Sequence, residues 1–306
     1  MKVLTMKSFY QAILLGLVLS FFSYNAHAFA SCPPAGQTQE SWLALKENQW
    51  RIENAEQRQQ SALKLLDCLA NPDPQLRDEI AFEALSFWMR NELLTIDTVQ
   101  QIRHQLLSQI SAPQAQNDSG FLQPFAALVL AEVARVDRRK AFMNQVQREE
   151  MVTKAAHYLR NIRDYRGYDE KQGWRHGLAH AADWMMQLSL NPALKKSQHN
   201  VMLEALAAQI RNDQHFYHYG EGERLVMPVF YLGLRSELTV EEWDNWFASL
   251  LLTSLDLKKT TQASLARKHN LSAFLSALYI NLQESKQTGL QEKLLPLVVK
   301  SLKKLN

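Results

Sequence analysis

The chain carries helical periodicity almost from end to end and interrupts it with turn residues at recurring intervals. That pairing constrains the fold more than any single motif. Apolar residues recur every three or four positions, and clean two-residue alternation is not found. The spacing predicts helices near 40–52, 54–70, 75–91, 97–111, 121–136, 147–162, 173–190, 194–211, 222–234, 240–256, 262–283 and 289–305. Asn71-Pro72-Asp73-Pro74 stops one helix and caps the next, and Asn117-Asp118-Ser119-Gly120, Asn191-Pro192 and Gly220-Glu221-Gly222 act similarly. With 10 glycines in 306 residues, the chain lacks the tight-turn chemistry of a β-rich fold.

The helices pair. Second members begin near 75, 121, 173, 222 and 262, at steps of about 46, 52, 49 and 40 residues. Repeats of this length predict an all-α, HEAT- or armadillo-like α-α superhelix, a short solenoid of about five helical hairpins. Asp73-Pro74-Gln75-Leu76-Arg77, followed by Ala81, Ala84 and Leu85, has the HEAT style of a proline-led helix, an arginine and small packing residues. An irregular helical bundle is the alternative. No Ser/Gly-rich or charged linker divides residues 29–306, so one continuous domain is expected. Stacked hairpins align their turns along one edge, which would make 71–78, 112–121, 163–174 and 212–224 neighbours.

Residues 1–28 read as a secretory signal. Lys2 and Lys7 open it, Ala12 to Phe22 is apolar, and Ala26-His27-Ala28 is a small-x-small cleavage site. The expected address is the bacterial periplasm. A minor alternative is a lipid anchor on Cys32, because Phe29-Ala30-Ser31-Cys32 loosely resembles a lipobox. No later run is long and apolar enough to span a bilayer, so the mature chain should have no transmembrane segment. An oxidising compartment favours a Cys32–Cys68 disulfide over two free thiols. The balance of 34 basic and 31 acidic residues is too even for a dedicated nucleic-acid binder.

The most distinctive run is Asp164-Tyr165-Arg166-Gly167-Tyr168, followed by Gly173-Trp174-Arg175-His176-Gly177-Leu178-Ala179-His180-Ala181-Ala182-Asp183. On a helix drawn from Trp174, the tryptophan falls on the apolar side with Leu178, Ala181 and Met185, while His176, His180, Asp183 and Gln187 form a polar stripe. Two imidazoles one turn apart can chelate a divalent metal, and Asp183 could be a third ligand or fix a tautomer. A neutral histidine can also act as a general base. The competing reading is a solvated or inter-repeat helix face. Asp164 and Arg166 either lock their own turn or grip a carboxylate ligand. Glu221 and Glu223, with Arg224, could approach the stripe, although carboxylates at a helix start more often cap it. Asp78, Glu79, Glu83 and Asp118 have the same status. Trp88, Trp174, Trp184, Trp243 and Trp246 sit at helical spacings and read as packing residues. There is no GxSxG elbow, P-loop, GxGxxG or kinase motif set.

Five blocks together resemble a known bacterial family. They are Asp73-Pro74-x-Leu76-Arg77-Asp78-Glu79-Ile80-Ala81, Asp118-Ser119-x-Phe121 with Phe125 to Leu130, Asp164 to Tyr168, Gly173-Trp174-x-His176-x-x-Ala179-His180-x-Ala182-Asp183, and Gly220-Glu221-x-Glu223-Arg224-Leu225. Over residues 40–250 the chain resembles the domain of unknown function family 2785. The resemblance implies a helical, HEAT-like fold and carries no assigned activity. The expected function is a binding or scaffold module that uses a polar edge or groove for a protein, peptide or envelope glycan. The alternative is a metal-dependent hydrolase built on His176, His180 and one carboxylate from Asp183, Glu221 or Glu223. A divalent metal is the one cofactor the sequence suggests.

Overall fold

The computed structural model describes residues 32–111, 119–235, 237–252 and 260–305. The expected signal segment and Asp118 lie outside the described residues. The described chain is all-α apart from one two-stranded ribbon. Its helices are α1 (Gln39–Glu47), α2 (Ala55–Leu65), α3 (Glu83–Arg90), α4 (Ile96–Ser111), α5 (Leu122–Arg139), α6 (Gln145–Asn161), α7 (Gly177–Ser189), α8 (Lys196–Ile210), α9 (Glu221–Arg235), α10 (Val240–Leu252), α11 (Gln262–Gln283) and α12 (Thr288–Leu305). A 3-10 turn, Leu66–Ala70, extends α2, and a wider π-helical stretch, Gln75–Phe82, leads into α3.

Packing arranges these helices in two rows. In the first row α3 contacts α5, α5 contacts α7, α7 contacts α9 and α9 contacts α11. In the second, α2, α4, α6, α8, α10 and α12 follow one another in the same way. Pairs such as α4–α5, α6–α7 and α8–α9 cross between the rows. A helix flanked on both sides within its row and backed by the other row must be apolar nearly all round. That describes α7, where Gly177 to Ala182 are all buried. Small residues suit this close approach: α5 contacts α7, and Ala126, Ala127, Ala131 and Ala134 on α5 and Ala179, Ala181 and Ala182 on α7 are all buried.

Polar ties fix the stacking where the rows turn. Asp137, wholly buried at the end of α5, accepts from the Phe142 and Met143 backbone N–H groups, from Arg148 on α6, and from Asn191 ahead of α8. Burial opposes its ionisation, but these donors outweigh burial and hold the carboxyl below its ordinary value. Its charge therefore joins three consecutive helical units.

Cys32 and Cys68 form a disulfide with a Cα–Cα distance of 5.2 Å. It ties the start of the described chain to the 3-10 turn after α2. Because the bridge closes a loop of 36 residues, the Cys32→Ser/Cys68→Ser double variant should lose about 3–4 kcal/mol of unfolding free energy. Urea unfolding of the oxidised protein and the variant measures this. Coincident transitions would contradict it.

Candidate functional site

The turns between paired helices lie beside one another. Ser119 Oγ donates to the Ala70 carbonyl, Arg77 reaches the Gln172 carbonyl, and Arg175 Nε donates to the Ser119 carbonyl. Gly167 packs so tightly under the Tyr219 ring that a Cβ there would overlap it. The first, second, third and fourth turns are thus physical neighbours.

Arg77 organises the first three. Its side chain is fully buried. Nε and Nη2 donate to both oxygens of Asp78 at 2.8 and 3.1 Å, Nη1 donates to the Asn71 and Pro72 carbonyls, and Nη2 also donates to Gln172 O at 2.8 Å. The guanidinium carbon lies 3.8 Å from the Phe121 ring centroid and 4.8 Å from that of Phe125. Arg175 lies 4.4 Å from the same Phe121 ring. Burial raises the carboxyl of Asp78 above its ordinary value in spite of Arg77.

The third turn is a small ribbon rather than the start of a helix. Tyr168 and Asp169 pair antiparallel with Trp174 and Gly173. Asp169 accepts from the Lys171 and Gln172 N–H groups and closes the tip. His176 then adopts a left-handed backbone, φ 51°, and α7 begins only at Gly177. This corrects the expected helix 173–190, and with it the position of Trp174. That side chain is 39% exposed on the ribbon, not packed on an apolar helix face. Trp88, Trp184 and Trp243 are buried as expected, and Trp246 is half-buried.

The candidate residues are largely satisfied by one another. Asp164 takes a forked grip from Arg166 Nε and Nη2 and a bond from the Arg166 N–H. Burial works against ionisation of Asp164, yet Arg166 outweighs it and the carboxyl lies below its ordinary value. Gly120, φ 82°, packs against this pair, where a Cβ would collide with it. His176 Nε2 bonds the Tyr219 carbonyl at 3.1 Å, and its ring stacks on Trp174 at 4.5 Å between centroids. Burial lowers its proton affinity. Asp183 pairs with Arg224 across the α7–α9 contact, and burial raises its carboxyl although Arg224 opposes this. Glu221 is buried and accepts from the Tyr219 N–H, so it caps the turn before α9. Glu223 is exposed.

His180 differs from the rest. Nδ1 lies 3.2 Å from the Pro124 carbonyl and must be the donor, so Nε2 is the unprotonated nitrogen of the neutral ring. Nε2 has no hydrogen bond to the described residues. Phe125 meets the ring edge-on at 5.0 Å. Burial first, then the charges of His176 and Arg224, push its pKa down to about 3. The two imidazole centroids are 6.2 Å apart. Among the described residues no three His, Cys, Asp or Glu side chains are grouped so as to hold a metal ion. The expected His176–His180–Asp183 stripe is thus divided between a backbone bond, a neutral acceptor and an ion pair.

An open cleft of about 580 Å³ runs between the third and fourth turns, lined by Asp164, Tyr165, Arg166, Tyr168, His218 and Tyr219 among others. Aromatic rings continue along it. Tyr165 stacks on His215 at 5.1 Å, His218 lies 4.3 Å from Tyr219, Tyr219 meets Trp174 at 5.6 Å, and Trp174 meets Tyr168 at 5.2 Å. Sequence alone does not single out Tyr168, His215, His218 and Tyr219 individually. Their one signal is aromatic density at two turns predicted to be adjacent.

The family described as Protein of unknown function (DUF2785) matches residues 106–280, more than half of the chain. The chain belongs to this family. No curated protein and no solved structure matches it. The DUF2785 region starts within α4 and ends within α11, later at both ends than the expected 40–250. It contains the cleft, the His176–His180 segment and Arg224, whereas Arg77 precedes it.

The buried neutral His180 makes a testable contribution to pH dependence. The unfolded histidine takes up a proton near its ordinary value of 6.5 and the folded one only near about 3. Its share of stability is complete above pH 6.5 and declines as pH falls towards 3. His180→Asn, which keeps a donor for Pro124 O, should flatten the loss of unfolding free energy between pH 7 and 5. Parallel wild-type and variant profiles would contradict this.

Proposed function

We infer that this protein is a short helical solenoid of one domain, working outside the cytoplasm as a binding module for an envelope glycan. The observation that carries the reading is the aromatic row along the open cleft. Tyr168, Trp174 and Phe216, in the third and fourth turns, are exposed aromatic side chains. Ring faces pack against the C–H faces of a pyranose, while tyrosine hydroxyls, imidazoles and the Asp164–Arg166 pair supply directional hydrogen bonds at its edges. A protein or peptide partner would draw on a broader aliphatic surface. The Cys32–Cys68 disulfide supports an oxidising compartment. Among the described residues no helix is long and apolar enough to cross a membrane. The periplasm is the compartment that joins these features to a cell-wall ligand.

A metal-dependent hydrolase fits the side chains less well. It would need His176, His180 and a carboxylate to converge, but Asp183 is held by Arg224 and Glu221 by the Tyr219 N–H.

Co-sedimentation with purified peptidoglycan sacculi tests the proposal. The wild type should bind. The Tyr168→Ala/Trp174→Ala double variant should bind about tenfold more weakly, the scale of two lost ring contacts. Because both rings are exposed, its melting temperature should stay close to that of the wild type. Absence of wild-type binding, or equal binding by the variant, would contradict the glycan reading.

A further inference from the structure

The edge opposite the aromatic one has a different surface. There the turn between α3 and α4 faces the C-terminal end of α5, and a cavity of about 220 Å³ lies between them. Met89, Leu94, Ile96, Val99 and Val136 give it an apolar wall. Ile96 is 38% exposed at its mouth. The rim is cationic, with Arg90, Arg135, Arg139 and Lys140 against the one carboxylate of Glu92. Arg90 is occupied by buried Glu132 on α5. Among the described residues, the side chains of Arg135, Arg139 and Lys140 have no hydrogen-bond or ion-pair partner. Arg138 donates to Gln187 Oε1 at 2.7 Å, and burial together with the charges of Arg135 and Arg139 lowers its proton affinity. Cations therefore outnumber carboxylates around this cavity, where Glu92 is the one carboxylate of the rim. Cations in the last turn of a helix complement its dipole, which accounts for Arg138 and Arg139. It accounts neither for Arg135, a turn earlier, nor for the apolar wall beside it.

We propose that this cavity binds an anionic amphiphile, with a carboxylate or phosphate head held by Arg135, Arg139 and Lys140 and an acyl or alkyl chain lying on Met89, Ile96 and Val136. Guanidinium forks match the paired oxygens of both head groups. The cavity has the volume of roughly seven waters, so it takes a head group and the first carbons of a chain rather than a whole lipid. The site is independent of the glycan reading and shares no residue with the aromatic cleft.

Calorimetric titration at low salt tests it with octyl phosphate and octanoate as probes, and octyl glucoside and inorganic phosphate as controls. At least one anionic amphiphile should bind at one site per chain. Tighter binding of octyl phosphate assigns a lipid phosphate as the natural head, and tighter binding of octanoate assigns a fatty acid. The Arg135→Gln/Arg139→Gln variant should weaken binding at least tenfold. Ile96→Glu, a change at an exposed position, should do the same by placing a negative charge where the chain lies. Equal affinity for octyl glucoside, equal affinity for inorganic phosphate, undiminished binding by both variants, or no binding of either amphiphile would overturn the proposal.

Discussion

One buried guanidinium governs how the turn edge is built. An arginine removed from water is costly unless its charge and its donors are met. Arg77 meets them with Asp78, with the Asn71 and Pro72 carbonyls of its own turn, and with the Gln172 carbonyl of the third. The Phe121 and Phe125 rings flank it from the start of α5. Moving any of the first three turns would strand a donor or uncover the charge. Their relative positions are set together, by one side chain in addition to the helix packing beneath them.

That anchor places the third-turn ribbon. The ribbon carries Trp174 outward, and the left-handed His176 turns the chain into α7. His176 then reaches the Tyr219 carbonyl and attaches the fourth turn, whose Tyr219 ring lies on Gly167. Charged groups along this edge mostly neutralise one another, as Asp164 does with Arg166 and Asp183 with Arg224. The rings of Tyr168 and Trp174 are exposed on this edge and His218 lines the cleft, whereas His180 is buried. The proposed recognition of a polyhydroxylated, ring-shaped ligand rests on the exposed rings and His218.

Much of this fold is legible in the sequence. Proline- and asparagine-led turns mark the helix boundaries, because their backbone chemistry is local. The step between turns implies their alignment, because stacking depends on repeat length. The failure at 173–176 is also physical. Apolar periodicity runs smoothly through Trp174 to Met185, but a left-handed residue at His176 interrupts the helix without disturbing the pattern of side chains. The partners of the key side chains are equally hidden. Arg77 finds its acceptor 95 residues away, and His176 and His180 bond to the backbone carbonyls of Tyr219 and Pro124. A carbonyl belongs to every residue, so nothing in the side-chain sequence marks it. The two cysteines are an easier case, since two thiols admit one intramolecular pairing.

The proposed glycan-binding role of the turn edge is tested most directly by nuclear magnetic resonance with a soluble N-acetylglucosamine–N-acetylmuramic acid oligosaccharide. On titration the Trp174 indole N–H and the Tyr168, His218 and Tyr219 signals should shift, while signals from the second row of helices stay in place. Shifts confined to other surfaces, or none at saturating oligosaccharide, would contradict it.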